Sequence, residues 1–186
     1  MLSDKERKAM YIERIKQFEE TPLNTILSED SKNWLVWNGF FKAPASTKYH
    51  GNYEGGLFDH SLLVMNTLVQ LTKDNQLQWG REESPYIIGL LHDLCKVNQY
   101  RETDVGEENP YEYRTDTLLT GHGDKSVMVA STLLQLTEEE MLCIRYHMGA
   151  FTEKSEWDYY TRAVHKYPNV LWTHTADMIA THVVGT

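Results

Sequence analysis

Hydrophobic residues recur along this chain every three or four positions, which is the spacing of helices with one buried face. The spacing predicts helices over 4–19, 29–38, 58–73, from Ser84 onward, 123–136, 137–147, 155–167 and 169–181. The run YIIGLLHDLCKV, residues 86–97, is apolar almost all round, which is typical of a helix in the middle of a domain. The pattern therefore predicts an all-α fold.

Local signals refine the ends of these helices. Ser84 followed by Pro85 predicts an N-cap and a proline in the first helical position. Thr137 and Glu140 have the spacing of a capping box. Residues 99–116 alternate only weakly between apolar and polar side chains, around turn signals at Gly106 and at Asn109-Pro110, and they predict a small β-hairpin.

Length and composition indicate a single domain. The 186 residues, of which 41% are hydrophobic, are enough for one core, and we expect an N-terminal helical extension over 1–45 and a core over 46–182. No apolar run approaches the length of a membrane span, and the charged N-terminus lacks the apolar stretch of a signal peptide. We therefore expect a cytoplasmic protein, with Cys95 and Cys143 as free thiols in apolar segments.

The adjacent pair His92 and Asp93 interrupts the most apolar segment of the chain. Burying a carboxylate without a partner costs several kcal/mol, so something must compensate Asp93. A divalent cation would do so, because imidazole nitrogen and carboxylate oxygen are good ligands for such ions. A buried His–Asp hydrogen bond or a salt bridge between helices is the alternative.

Four further candidates lie on other predicted helices. His60 stands near the start of one, His122 begins another between two glycines, His147 ends a third, and Asp177 interrupts the apolar face of the last. Helix bundles build metal sites in this way, from side chains on facing helices. The arrangement predicts a metal centre, whereas His174, three residues before Asp177, is predicted to be a satisfied core histidine.

The order of these segments carries a specific resemblance. GGLFDHS, LLHDLCK, GHGDKS, IRYHMG and HTADM, spread over residues 49–182, resemble the HD superfamily of metal-dependent phosphohydrolases, and the local motifs are most similar to the HD domain of bacterial 3′–5′ exoribonucleases. The resemblance implies a single HD-type domain in which one metal is held by His60, His92, Asp93 and Asp177. It implies a second metal held by His122 and His147, with Asp93 bridging the two and a metal-activated water attacking phosphorus. The ions implied are divalent, one or two of Mn, Fe, Ni, Zn or Mg.

The resemblance also suggests residues that meet the substrate. Lys96 stands at the lysine position of the HD-x-x-K motif, four residues after His92, where it would contact a substrate phosphate or assist the leaving group; a surface lysine is the alternative. His50 corresponds to a loop histidine near the substrate of the HD exoribonucleases. Arg101 and Arg114 lie between two ligand segments, among tyrosines on which a base would stack, and we predict that they bind the substrate.

The predicted function is hydrolysis of a phosphoester in a nucleotide or related small molecule, by a phosphodiesterase or phosphatase with a binuclear site. A mononuclear nucleotide phosphatase, a 3′–5′ exonuclease-like enzyme and a non-catalytic metal-binding HD module that senses a ligand or partner stay open as alternatives. The net charge of −9 disfavours nucleic acid as a partner, although a strand end stays possible, and the sequence does not indicate an oligomeric state.

Overall fold

The computed structural model describes residues 3–104 and 109–185, and helices dominate both ranges. The α-helices in these ranges are α1 (Asp4–Glu19), α2 (Leu23–Ile26), α3 (Glu29–Trp37), α4 (Gly56–Asn75), α5 (Ser84–Leu91), α6 (His122–Leu133), α7 (Glu138–Arg145), α8 (Trp157–Lys166) and α9 (Asn169–Ile179). Short 3₁₀ segments cover Leu94–Asn98, Gly149–Phe151 and Lys154–Glu156, and a π-helical turn covers Ala180–Val184. The all-α prediction is confirmed. None of the helices in the described ranges has the length and apolar character to cross a bilayer.

A small hairpin is the exception to the helical fold, as the weak alternation predicts. Strand β1 (Tyr100–Glu102) pairs antiparallel with β2 (Tyr111–Tyr113), with Tyr100 opposite Tyr113. The rings of these two tyrosines meet edge to face, with centroids 5.0 Å apart. The turn predicted around Gly106 lies outside the described residues.

The core is built on α4, which packs along α5 and against α9. The approach of α4 to α5 depends on Gly89, because a Cβ there would stand 2.3 Å from the Cα of Met65. Leu57, Phe58 and Leu68 of α4 are fully buried, and each such side chain stabilises the fold by about 1.5–3 kcal/mol. The same close approach brings His60 on α4 next to the end of α5.

The prediction that residues 86–97 form one helix is wrong. Helix α5 ends at Leu91, and Asp93 has φ −108° and ψ 18°, outside the helical region, before the 3₁₀ segment begins at Leu94. His92 and Lys96, four residues apart, therefore do not share the helical face that this spacing predicts within one α-helix. The tighter 3₁₀ turn, in which the Lys96 backbone N–H donates to the carbonyl of Asp93, brings the side chain of Lys96 over Asp93 instead.

The two cap predictions have different outcomes. Thr137 and Glu140 form the capping box, since Thr137 Oγ1 accepts from the Glu140 backbone N–H and the Glu140 carboxylate accepts from that of Thr137. Ser84 is not an N-cap: it is the first residue of α5, and its hydroxyl donates to Glu140 Oε1 at 2.8 Å. Glu140 is fully buried, so its carboxylate recruits both Ser84 and Arg81 as hydrogen-bond donors.

The N-terminal helix is fastened to the core by a buried ion pair. Arg14 of α1 donates from Nε to Asp59 Oδ1 at 2.7 Å and from Nη2 to Asp59 Oδ2 at 2.8 Å. Gly55 makes room for this guanidinium, because a Cβ at this residue, whose φ is +89°, would lie 2.2 Å from Arg14 Cζ. Asp59 precedes His60, so the ion pair connects α1 directly to the first part of α4.

Candidate metal centre

Four imidazoles and two carboxylates from separate segments converge in the middle of the domain. His60 comes from α4 and Asp177 from α9, while His92 and Asp93 form the turn after α5. His122 is the first residue of α6, and His147 lies two residues beyond the end of α7. All are buried except His122, whose side chain is 28% exposed and opens the cluster towards solvent.

One half of the cluster surrounds His60. Its Nε2 lies 3.3 Å from Asp177 Oδ1, 3.5 Å from Asp93 Oδ2 and 3.3 Å from His92 Nε2. His92 Nε2 is in turn 3.5 Å from the same Asp93 oxygen. The donor atoms of His60, His92 and Asp93 lie within 4.8 Å of one another, with Asp177 Oδ1 beside His60, and nitrogen and oxygen donors of this kind suit a first-row divalent ion.

The other half uses the second oxygen of Asp93. Asp93 Oδ1 lies 2.9 Å from His122 Nε2 and 3.5 Å from His147 Nε2. These two imidazole nitrogens are 3.0 Å apart. Asp93 therefore offers one oxygen to each pair of histidines, and its donor atoms could hold a metal ion together with either pair.

Two of the histidines have their ring orientation fixed by backbone carbonyls. His92 Nδ1 donates to the carbonyl of Gly89 at 2.9 Å, and His147 Nδ1 donates to that of Ile144 at 2.6 Å. A carbonyl only accepts hydrogen bonds, so the proton of each neutral ring is on Nδ1 and the Nε2 lone pair faces the cluster. Metal-binding histidines are held in this way by a partner of the other ring nitrogen.

The two oxygens of Asp93 have unequal partners. Lys96 Nζ lies 2.6 Å from Oδ2, whereas the buried Oδ1 has no hydrogen bond of acceptable geometry. An unsatisfied buried acceptor costs about 1–3 kcal/mol. A salt bridge with Lys96 therefore accounts for Oδ2 alone, and Oδ1, whose neighbours are the imidazole nitrogens of His122 and His147, fits a bound cation.

The protonation states suit metal binding. Burial by itself raises the pKa of Asp93, but Lys96, His92 and His122 hold that pKa well below its usual range, so the carboxylate is charged at neutral pH. Burial lowers the pKa of His92 to about 3, so this ring is neutral. For Asp177, burial is outweighed by the hydrogen bond from His60 and by nearby histidines, which lower its pKa.

His147 differs from His92 in its titration. Burial acts to lower its pKa, but the contact with Asp93 outweighs burial and raises it. The pKa of His122 is shifted in the opposite direction from that of His147, because burial lowers it and the attraction of Asp93 does not compensate. A cation at Asp93 Oδ1 would have to compete with a proton at His147 more than at His122.

The residues predicted to meet the substrate fall into two groups. Lys96 reaches the cluster by its ion pair with Asp93. The ring of His50 lies 5.0 Å from the ring of His60, and burial lowers the pKa of His50 to about 4. Arg101 and Arg114 are on and just after the hairpin, where they pair with Glu112 at 2.7 Å and with Asp116 at 2.8 Å. Both arginine side chains are exposed, and their part in substrate binding stays a prediction.

Three contacts around the cluster were missed by the sequence reasoning. Gly123 allows α6 to approach the end of α7, because a Cβ there would lie 2.0 Å from the Arg145 carbonyl oxygen. The ring of His174 contacts the backbone of His147, since His174 Nδ1 lies 2.8 Å from the carbonyl oxygen of His147. Cys95 Sγ lies 3.0 Å from His122 Nδ1. The glycine beside His122 was a usable signal for the first, while nothing in the spacing reveals the third.

An all-α domain with a buried cluster of four histidines and two aspartates fits a metal-dependent phosphohydrolase. A segment of 74 residues is 34% identical to the dihydroneopterin 2′,3′-cyclic phosphate phosphodiesterase of Methanocaldococcus jannaschii, which supports hydrolase activity. The segment covers 38% of this chain and 30% of that protein, so this chain matches less than a third of its relative's length. No family model matches the chain. Comparison with solved structures also finds no match.

Proposed function

We propose that this chain is an HD-type phosphohydrolase that cleaves a phosphoester of a nucleotide or related small molecule at a binuclear metal centre. The observation that carries the proposal is the position of Asp93, whose two buried oxygens each face a separate pair of imidazole nitrogens. His60, His92, Asp93 and Asp177 would hold one ion, and Asp93, His122 and His147 the other.

When bound, the two ions would supply an activated water and would draw negative charge from the phosphoryl oxygens. Lys96 adds a cation of the chain itself: burial opposes its charge, but Asp93 raises its pKa, so the ammonium group stays protonated beside the cluster. Its remaining donors would bind a phosphoryl oxygen of the substrate. His50, neutral at pH 7, would donate or accept a hydrogen bond at the same side as His60.

The name of the archaeal relative suggests which bond to test first. That protein is named for a 2′,3′-cyclic phosphate, a strained phosphodiester within a small molecule. A small cyclic diester also suits the acidic chain, because it needs no extended basic groove along a nucleic acid. We therefore propose a cyclic or other small phosphodiester as the substrate class.

The test is hydrolysis of a substrate panel with added Mn²⁺. The panel contains 2′,3′-cyclic nucleotides, linear dinucleotides, nucleoside monophosphates and short RNA, each with the wild type, Asp93→Ala and the surface control Asp158→Ala. We expect metal-dependent turnover of a diester by the wild type and by the control, and a loss of at least about 1,000-fold in Asp93→Ala. Equal turnover by wild type and Asp93→Ala would contradict the proposal.

A mononuclear phosphatase is the second candidate, and one observation favours it. His122 is the most exposed member of the cluster, and its Nδ1 contacts a sulfur instead of a backbone carbonyl, so this ring is held less firmly than His92 and His147. Counting the Mn²⁺ ions bound per chain by calorimetry separates the two. One ion, with turnover of monoesters only, would replace the binuclear diesterase.

A further inference from the structure

Cys95 is the side chain that touches His122 on the face turned away from the cluster. It is fully buried two residues after Asp93, and its Sγ lies 3.0 Å from His122 Nδ1. Its backbone N–H donates to the hydroxyl of Ser126, one turn further along α6, at 3.2 Å. The segment after Asp93 thus contacts the first turn of α6 twice, once through the ring of a cluster histidine.

The proton of His122 can be placed from its neighbours. In its neutral form His147 donates from Nδ1 to a carbonyl, so its Nε2 then has a lone pair. His122 Nε2 is 3.0 Å from that nitrogen and also faces Asp93 Oδ1, an oxygen that only accepts, at 2.9 Å, so we place the proton of His122 on Nε2. Its Nδ1 is then an acceptor, and the thiol of Cys95 is the donor to it.

Binding of a cation requires the opposite arrangement. A metal-bound Nε2 must present its lone pair, so the ring proton has to be on Nδ1. Sulfur both donates and accepts weakly, so Cys95 tolerates both forms of the ring, unlike the carbonyls that face His92 and His147. No proton is gained or lost in the change, since one leaves Nε2 and one joins Nδ1.

We propose that Cys95 is a positioning residue that aims His122 at Asp93 and permits the change of tautomer by which His122 becomes a metal ligand. This inference rests on the proposed binuclear function. It predicts that the cation between Asp93, His122 and His147 depends on Cys95, whereas the cation between His60, His92, Asp93 and Asp177 does not.

The chain offers a matched control in its second cysteine. Cys143 of α7 is as buried as Cys95, but its thiol lies near the side chain of Thr173. Cys143→Ala removes the same sulfur atom from the core without touching His122. Cys95→Ser keeps a group that donates and accepts, and it serves as the conservative variant.

The experiment titrates Mn²⁺ into the metal-free wild type, Cys95→Ala, Cys95→Ser and Cys143→Ala, with circular dichroism to verify the fold. We expect Cys95→Ala to weaken one of two Mn²⁺ sites by about 10–100-fold, as for other partners of metal ligands, and to leave the other site within about twofold. Cys95→Ser should recover part of the loss, and Cys143→Ala should match the wild type. Equal weakening of both sites, or of neither, in Cys95→Ala would overturn the proposal.

A readout without metal separates this inference from the proposed function. Long-range ¹H–¹⁵N correlation of the metal-free protein, labelled at histidine, reports which ring nitrogen carries each proton. We expect the Nε2–H form for His122 and the Nδ1–H form for His147. In Cys95→Ala only the Nδ1 resonance of His122 should shift, because this nitrogen loses the thiol that donates to it. If the wild type bound one Mn²⁺, the binuclear function would fail, and an unchanged His122 signal would separately overturn the role of Cys95. If Cys95→Ala failed to fold, Cys95→Ser would decide both readouts.

Discussion

Charged side chains collect in two parts of this molecule, the buried cluster and the hairpin, with different consequences. On the hairpin, Arg101 pairs with Glu112, and just beyond it Arg114 pairs with Asp116; such exposed pairs contribute about 0–1 kcal/mol. Their charges are already matched and hydrated. In the cluster, two carboxylates face one ammonium and four imidazoles, and a buried oxygen of Asp93 has no hydrogen bond. A further positive charge would therefore be favourable in the cluster, whereas the charges on the hairpin are already matched.

The largest effect should follow from removing the shared carboxylate charge. Asp93→Asn keeps the size of the side chain but removes the anion that faces both pairs of histidines, so we expect both Mn²⁺ ions to be lost. Asp177 Oδ1 contacts His60 and accepts a hydrogen bond from the Thr181 hydroxyl, so Asp177→Asn should lose one ion and keep the other. Measurement of bound Mn²⁺ by elemental analysis tests this, and equal losses in the two variants would contradict the bridging role of Asp93.

The next effect concerns the ammonium group beside Asp93. Lys96→Met removes a donor to the substrate while keeping an apolar chain of similar length, so we expect kcat to fall by about 100-fold. Bound Mn²⁺ should be retained, because Lys96 is not among the ligands. A variant that kept full turnover would show that Lys96 is only the ion-pair partner of Asp93 and has no part in turnover.

A buried ion pair outside the cluster should affect stability more than the hairpin pairs do. Arg14→Met leaves Asp59 without its bidentate partner, and because Asp59 is about one-third exposed we expect the free energy of unfolding to fall by about 2 kcal/mol. Arg101→Ala is the matched control, with an expected change below about 0.5 kcal/mol. Urea denaturation measures both, and equal changes would remove the distinction between these ion pairs.

The smallest effect is expected for the two arginines of the hairpin region as substrate ligands. To bind a phosphate, Arg101 or Arg114 would first have to leave its carboxylate partner, so the net gain is at most about 1 kcal/mol, or roughly fivefold in KM. Arg101→Ala and Arg114→Ala should therefore raise KM by a few-fold and leave kcat unchanged. An unchanged KM in both variants would remove the hairpin from the substrate site.

Much of the architecture is predictable because burial imposes a regular pattern. The helices follow the spacing of their apolar residues, and Asp93 and Asp177 are conspicuous since a charge in an apolar segment needs compensation. The capping box of Thr137 and Glu140 is equally readable, because its bonds join residues three positions apart. The structure brings together the six residues predicted as metal ligands, although their occupation by metal stays a proposal.

Other features depend on contacts between distant segments, which spacing alone does not encode. The end of α5 at Leu91 is one, since the apolar run continues beyond it, and the displacement of Ser84 from a cap to the buried Glu140 is another. The contact of Cys95 with His122 joins residues 27 positions apart. Arg101 and Arg114 are the converse case: they are close in sequence to ligand residues, but their side chains do not lie at the cluster.

The central claim, that the cluster is a two-cation site centred on Asp93, is tested most directly by anomalous diffraction from crystals soaked in Mn²⁺. We expect two anomalous peaks, one among His60, His92, Asp93 and Asp177 and one among Asp93, His122 and His147, with Asp93 between them. A map with no peak at the cluster, from crystals in which elemental analysis finds bound Mn²⁺, would contradict the claim.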